Sequence, residues 1–489
     1  MENNLLARKI FFWFLVLLFL ITAPIISFYA LGYRFSFEKG IFVYSGSFTI
    51  KSTPQESEIH VNGSMVPKGV INFLNYSYHI DGIKPGTYFL EVKKDKYQTW
   101  HKESPIHSGL STEFWNVFLA REDYTKKQYE TNLINDFFIS PKENNIATVH
   151  NDTGMTVRVL DLKTEDTQNV FVATDYLFPI AEKINIEWSP RGELLIIPAI
   201  NNETGERNYF IAGLENEEIV DLQIHTKEKE IKDVRWDPSD KNFIIYIAND
   251  NLYRINIRNN EEKNLITENV GGYDISNNRI YYINKTNGII SETGTKNTDS
   301  ETQITSTSLE NINFENTKII VYDKDRIGII TGDKDLYVLN NGKSLFFNKI
   351  SNNVSGLHFS NDGKKMTYWT ENEIFVYFTT KWETQPVREE NQIIHITRSF
   401  NKINNVQWLR DYEHIIYSAG NTVKLIEIDH RDYRNLFDIL ELNNPQPKIV
   451  YNPSKSILYF TDSENENFVD FNLGAINLLE RDDEELKFN

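Results

Sequence analysis

Residues 184–200 read INIEWSPRGELLIIPAI. Apolar and polar residues alternate up to Trp188, a Ser-Pro-Arg-Gly turn fills 189–192, and a second apolar run follows at once. Two short runs joined by a Pro/Gly turn predict a β-hairpin. The plan returns at 231–257, with IKDVRW, FIIYIA and LYRINI, and at 404–428, with NNVQW, HIIYSA and VKLIEI. Its turn is clearest at Phe138-Ile-Ser-Pro141, Trp188-Ser-Pro190-Arg-Gly192 and Trp236-Asp-Pro238. Looser copies are Asp274-Ile-Ser-Asn277, Phe314-Glu-Asn316, Phe359-Ser-Asn-Asp-Gly363, Trp408-Leu-Arg-Asp411 and Tyr451-Asn-Pro453. The turns fall near 140, 189, 237, 276, 316, 360, 409 and 452, so the gaps are 39 to 49 residues. A period of that length, with about four short strands in each unit, predicts a β-propeller over 124–479. Eight motifs fit eight blades; a first or last motif that completes a shared closing blade would make the number seven. Pro141, Pro190, Gly192, Pro238, Gly363 and Pro453 are read as turn formers, with no chemical role.

The tryptophan-Ser/Asp-Pro-x-Gly hairpin resembles the blades of TolB-like and WD40-like propellers. The His and Asp network that marks WD40 blades is not evident, so the resemblance stops at the general kind.

Towards the N-terminus the pattern changes. Residues 42–120 hold short alternating runs, SFTIK at 47–51, EIHV at 58–61, TYFLEVK at 87–93 and WNVFL at 115–119, set off by Asn62-Gly63 and Pro85-Gly86. Asn-Gly suits a two-residue hairpin turn, and Pro followed by Gly presets a tight turn with a positive φ at Gly. Asn62, Gly63, Pro85 and Gly86 are therefore turn formers, and 42–120 is expected to be a small antiparallel β-sandwich. The stretches Gly46 to Pro54, Ile59 to Gly63, Ile83 to Tyr88, and Val92 to Tyr97 with Trp100 resemble a PEGA domain, a small sandwich of bacterial envelope and surface proteins. Lys-Pro-Gly-Thr stands where that family has its name-giving Pro-Glu-Gly-Ala, and Lys96-Tyr97 replaces Gly-Tyr. The resemblance implies adhesion or spacing at the envelope and carries no catalytic residues.

Ile10 to Leu31 reads IFFWFLVLLFLITAPIISFYAL, with no charge over 22 residues. As a helix it would reach about 33 Å, enough to cross the hydrocarbon layer. Arg8 and Lys9 precede it and favour a cytoplasmic N-terminus. A cleaved signal peptide would have a shorter apolar core and small residues before the cut; here Phe28 stands two places before Ala30. The expected order is a cytoplasmic segment 1–9, an uncleaved single-pass anchor 10–31, the PEGA-like module 42–120, the propeller 124–479 and a charged tail 480–489, with the bulk of the chain outside the cytoplasm at the cell membrane.

The composition excludes several classes. The chain has 489 residues, no Cys and a formal net charge of -18. Without cysteine there is no disulfide framework, Cys-ligated zinc or thiol nucleophile. Residues 1–120 carry 11 Lys/Arg and 9 Asp/Glu, a net of +2, so the remainder carries -20. That balance argues against a nucleic-acid partner. The sequence contains no G-x-S-x-G, H-E-x-x-H or G-x-x-x-x-G-K-[ST], and its 10 His are scattered with no i, i+4 pair. Asp323-Lys-Asp325 and Asp333-Lys-Asp335 could offer oxygens to Ca²⁺, but the blander reading, turn-forming Asp between strands, fits better. No catalytic, cofactor-binding or metal-binding residue is expected.

These readings point to a membrane-anchored, extracytoplasmic scaffold of the bacterial cell envelope. The PEGA-like module would serve as stalk or wall-facing unit and the propeller as docking platform for an envelope protein or wall polymer. The alternative is a propeller enzyme, a hydrolase or lyase acting on envelope glycan or peptide through paired carboxylates.

Overall fold

A computed structural model describes residues 2–36, 41–67, 70–72, 75–131, 133–182, 184–215, 218–295, 301–309, 312–340, 347–463 and 471–479. The charged tail 480–489 lies outside the described residues. The chain divides into two compact units, Met1–Asp123 with Glu383–Val387 and Ile426–Ile439, and the remainder.

The first unit opens with helix α1 (Glu2–Ala30), which starts before the apolar run and stops one residue short of Leu31. Its stretch Arg8–Ala30 is long and apolar enough to cross a membrane and has none of its side chains packed inside the protein. Pro24 sits within it without ending it. Thr22 and Ser27 donate their hydroxyls back to the carbonyls of Leu18 and Ala23, both at 2.9 Å, so neither is left without an acceptor in an apolar setting. Strands β1 (Tyr33–Ser36) and β2 (Ile41–Tyr44) form a hairpin immediately after the helix.

Eight further strands make two sheets. They are β3 (Gly46–Thr53), β4 (Glu58–Val61), β5 (Ser64–Met65), β6 (Val70–Asn72), β7 (Ser77–Ile83), β8 (Gly86–Lys93), β9 (Trp100–Ile106) and β10 (Ser111–Phe118). One sheet has the order β10-β3-β7-β6 and the other β5-β4-β8-β9. Phe48, Ile50, Ile59, Leu90, Val92, Trp100 and Phe114 are buried, and the rings of Trp100 and Phe114 meet edge to face at 5.2 Å. The expectation of a purely antiparallel module is corrected at one seam: β10 runs parallel to β3, with Ser111 opposite Ser47 and Phe114 opposite Ile50. The chain traverses the other sheet between them, and such a long crossover is what parallel neighbours need.

The second unit is mainly β and has the architecture of a β-propeller. Among its described residues, sheets follow one another along the chain, each an antiparallel meander, and one has a fifth strand. Their first strands are Asp136–Ile139, Glu187–Trp188, Lys232–Trp236, Val270–Ser276, Lys318–Asp323, Gly356–Phe359, Ile403–Trp408 and Ile449–Asn452. The last sheet is completed by β11 (Lys127–Tyr129), which pairs with Phe471–Asn477. An early strand thus closes the sheet built by the end of the repeats and removes an exposed edge. Apolar cores form between successive sheets: Trp188, Ile197 and Phe210 pack with Val149, Val157 and Phe171 of the preceding sheet, and Trp236 and Tyr246 with Ile196 and Ile211.

Most of the turns sit where the repeat puts them. Ser189 accepts from Gly192 and Ser360 from Gly363, each backbone bond 2.8 Å long, and both glycines have positive φ, 69° and 66°. Pro141, Pro190, Pro238 and Pro453 stand directly after Ser140, Ser189, Asp237 and Asn452. The small polar residue that opens the turn also ties it down. The hydroxyls of Ser140, Ser189 and Ser360 accept from the backbone N–H of Asn145, Leu194 and Lys365 at 3.1, 3.0 and 3.0 Å. The fifth motif is displaced. Phe314-Glu-Asn316 precedes the strand Lys318–Asp323, and the turn proper is Asp323 to Arg326, closed by the Arg326 guanidinium on the Asp323 carboxylate. That turn keeps the aromatic residue before it, Tyr322, but lacks the proline of the clearer copies.

Candidate functional site

The first strands of the second unit touch one another in order around a closed ring. Trp188 and Trp236 donate their indole N–H to the carbonyls of Phe138 and Glu187, at 3.0 and 3.1 Å, and Trp408 donates to His358 at 3.0 Å. Lys448 and Asp136 close the circuit with a 2.5 Å ion pair. These bonds set the register. Phe138, Glu187, Arg235, Asp274, Ile320, His358, Gln407 and Val450 occupy one level of the ring; all but Ile320, whose strand has an irregularity between Val321 and Asp323, stand directly before the aromatic or apolar residue that leads into the turn.

At three positions of this level the side chain reaches the next strand's backbone. Glu187 accepts from Trp236 N–H at 3.2 Å, Asp274 from Val321 N–H at 2.8 Å and Gln407 from Tyr451 N–H at 3.0 Å. Arg235 stands between two of them, 3.0 Å from Glu187 Oε2 and 3.3 Å from Asp274 Oδ1. The result is an ionic chain over three consecutive first strands. Burial raises the pKa of Glu187 and of Asp274, and the charge of Arg235 opposes the rise in both. Each group still touches water while protein surrounds it on most sides. Both carboxylates are committed to one guanidinium and to backbone donors, an arrangement suited to tying sheets together. A hydrolase needs instead one carboxyl as acid and another free to act as base or nucleophile.

Two residues earlier on these strands lies a second level. Here Lys448 lies 3.7 Å from the centre of the Phe138 ring, and burial lowers its pKa against the opposing pull of Asp136. Asp233 and Asn405 are at this level, at bulges in their strands, with φ of 48° and 53°. Asp and Asn tolerate the left-handed region better than most residues. Burial raises the Asp233 pKa, opposed by Arg235, Lys318, Arg207 and Lys232 in that order. A raised folded-state pKa means that ionisation costs stability as pH climbs through it. The replacement Asp233→Asn keeps the shape and tolerates the same φ, so it is expected to be neutral or slightly stabilising near pH 7 and to lose any advantage below about pH 4, where Asp is protonated in both states. Thermal midpoints of both proteins across that range check the sign.

The acidic pairs flagged by spacing take structural partners. Asp323 binds Arg326, Asp335 lies 2.6 Å from Lys349, and Asp333 accepts from Asn313 at 3.3 Å. Among the described residues no group of three or more His, Asp or Glu is placed to hold a metal ion. In the first unit Asn62 and Gly63 fill the two-residue link between β4 and β5 with φ of 49° and 78°, and the Asn62 side chain also accepts from Phe89 N–H at 2.9 Å. Pro85 and Gly86 do not close a hairpin. Lys84 and Pro85 carry the chain from one sheet to the other, and Gly86 opens β8 opposite Ile106. A Cβ at Gly86 would meet only the Tyr88 ring at 3.6 Å.

The first unit holds a buried polar network that no local pattern announces. Lys102 of β9 is fully buried and lies 2.5 Å from Glu427, itself almost fully buried. The Lys102 ammonium also donates to the carbonyls of Tyr433 and Asp429 at 2.7 and 3.1 Å. Glu427 accepts from the Trp100 indole at 2.9 Å and from Asn435 N–H at 2.7 Å. Asn435 then bonds the backbone of His101 in both directions, at 3.1 and 3.0 Å. Arg431 grips Asp429, donates to the Glu113 carbonyl at 2.8 Å and lies 4.0 Å from the Phe114 ring centre. The segments Ile426–Ile439 and Glu383–Val387 are thus bound into the two-sheet module as parts of one unit.

No family model matches the sequence. No curated protein matches it either. Solved structures do resemble it in part. Hsv2 of Kluyveromyces lactis with a complete loop 6CD is 13% identical, covers 63% of this chain and 98% of its own, and has a TM-score of 0.40. The β-propeller domain of Myceliophteria thermophila Cps50 (Swd1) is 10% identical over 71% of this chain and 98% of its own, with a TM-score of 0.40. The WD40 domain of SCAP from fission yeast is 11% identical over 73% of this chain and 95% of its own, with a TM-score of 0.42.

Proposed function

We propose that this protein is a membrane-anchored, extracytoplasmic scaffold of the bacterial cell envelope. In this reading α1 is a single-pass anchor, the two-sheet module is a PEGA-like stalk or wall-facing unit, and the repeats are an eight-bladed propeller that serves as a docking platform for an envelope protein or wall polymer. The observation that carries it is the order of parts: an apolar span with outward-facing side chains, followed by rigid all-β units. A propeller displays many loops on a fixed frame, which suits it to holding partners, although the fold alone names none. The enzyme alternative gains nothing from the ring, where Glu187 and Asp274 both bind Arg235.

The anchor is tested by alkaline extraction of membranes carrying the full chain, together with protease protection of intact cells. Retention in the pellet with the propeller cut from outside supports the reading; release by alkali, or full protection, overturns it. The scaffold role is tested by crosslinking the full chain in its envelope and identifying captured material by mass spectrometry. A reproducible envelope protein or wall fragment, lost when the repeats are deleted, supports docking; the same capture by a propeller-deleted chain moves the role to the module.

A further inference from the structure

The hairpin β1–β2 is an aromatic platform built against the end of α1. Tyr33 is paired with Tyr44 and Phe35 with Phe42 across the two strands. The Phe28 ring of α1 stacks on Phe42 at 5.4 Å and meets Tyr33 edge to face at 5.6 Å. Phe35 and Phe42 contact at 5.3 Å, and Tyr33 and Tyr44 at 4.6 Å. Despite these contacts three of the rings stay exposed over two-fifths or more of their surface: Phe35 is 45% exposed, Tyr44 42% and Phe28 44%.

The turn into the hairpin fixes its depth. Gly32 takes a φ of 87°, and a Cβ there would lie 3.0 Å from Gly109 and 3.2 Å from the Tyr44 ring. Such a reversal turns the chain straight from the helix into β1. Phe28 is two residues before the helix end, about 3 Å along the axis at 1.5 Å per residue. Because Phe42 stacks on Phe28, the hairpin lies beside the last helical turn. Its rings therefore sit at the level where the apolar span ends. Leu110, next to Gly109, is 61% exposed and extends the apolar surface at this end of the unit.

We infer that the β1–β2 hairpin is a lipid-contacting foot, whose Phe35, Phe42 and Tyr44 rings lie in the headgroup–acyl boundary of the same bilayer that α1 crosses. The inference rests on the anchor reading above, and the occupant follows from continuity with the span. Aromatic rings favour that boundary, and Tyr can keep its hydroxyl in water while its ring meets the acyl chains. The foot would set the height of the first unit at the bilayer surface instead of leaving it on a free tether.

The absence of cysteine makes the test direct, because a single introduced thiol labels one site. Three full-length variants, L20C, F35C and F400C, each carry an environment-sensitive fluorophore and are reconstituted into phosphatidylcholine vesicles. Position 20, at the middle of the apolar run, reports the span, 35 the foot, and 400 a fully exposed reference. Quenching is measured with aqueous iodide and with lipids bearing a nitroxide near the headgroup or deep in the chain. The expected result is a deep-lipid signal at 20, and at 35 a blue shift, shallow-lipid quenching and loss of iodide access relative to 400. Adding Phe42→Ser to the F35C protein should restore iodide access at 35. A site 35 that behaves like 400 while 20 is quenched by deep lipid overturns the foot and leaves the anchor standing. Loss of lipid quenching at both 20 and 35 overturns the anchor as well.

Discussion

Replacing Glu427 with Ala is expected to destabilise the first unit by about 3–5 kcal/mol, the cost of stranding one member of a buried ion pair. Lys102 is fully buried and Glu427 is its only described carboxylate partner. Without it the ammonium keeps two carbonyl acceptors but loses its contacting carboxylate, with only the Asp429 carboxylate nearby and already gripped by Arg431, and the Trp100 indole and the Asn435 backbone lose their acceptor as well. Burying groups without partners is what makes such changes large. The measurement is the thermal or denaturant midpoint of the transition that belongs to this unit, because a chain of two units need not unfold in one step. The double variant Lys102→Met with Glu427→Gln removes both charges while the amide oxygen still accepts from Trp100. It should lose clearly less than Glu427→Ala, because no buried charge is then left without its partner. If Glu427→Ala shifts the midpoint no more than an exposed substitution does, the network carries no net stability.

The second large effect is expected at Gly363. Glycines 192 and 363 occupy the same turn position in two repeats, with φ of 69° and 66°. Their surroundings differ. A Cβ at Gly192 would find its nearest neighbour, Ser140 Cβ, at 3.8 Å, whereas one at Gly363 would lie 2.2 Å from the Tyr322 ring and 2.6 Å from Arg326 Nη1. Tyr322 and Arg326 cannot step aside cheaply. Tyr322 donates to the Asn361 carbonyl at 2.9 Å, Arg326 donates to the Gly363 carbonyl at 2.9 Å, and the guanidinium lies 4.4 Å from the ring centre. Gly192→Ala should therefore cost about 1 kcal/mol, the left-handed penalty alone. Gly363→Ala should cost about 2–4 kcal/mol, that penalty plus overpacking. Thermal midpoints of the two variants check the difference, and equal losses would show that the Tyr322 contact relaxes freely. At Gly86 a Cβ would make only ordinary contact with the Tyr88 ring at 3.6 Å, so Ala should cost less there than at Gly363.

Much of the architecture is local in origin and legible in the chain itself. The apolar helix depends on composition over one continuous stretch, and the run Ile10 to Leu31 ends within a residue of the helix end at Ala30. The repeats are readable because most turns use related local chemistry: a small polar residue that opens the turn, followed in the clearest copies by proline and in others by Asn, Asp or Gly, several of them with a residue in the left-handed region. Where a turn solves that problem differently, as Asp323 and Arg326 do with an ion pair, the nearest look-alike in sequence is Phe314-Glu-Asn316, one strand too early. The Pro85-Gly86 pair misleads for a related reason. Two residues that can make a tight turn also suit a link between sheets, and only the pairing of β7 and β8 with different partners separates the two.

What the sequence determined by itself, then, is an apolar span, a strand-rich module and a train of β repeats, because each follows from periodicity and turn chemistry within about 50 residues. The tertiary structure alone decided which charges meet. Lys102 and Glu427 are 325 positions apart, and Glu187, Arg235 and Asp274 stand on three different sheets. No local pattern couples them, since the register between sheets is set by the packing of Trp188 and Trp236 against the strands before them. The same holds for the hairpin after α1. The aromatic residues are plain in the sequence, but their depth follows from the reversal at Gly32 and the stacking of Phe42 on Phe28. Contacts of that kind exist only once the chain has folded back on itself.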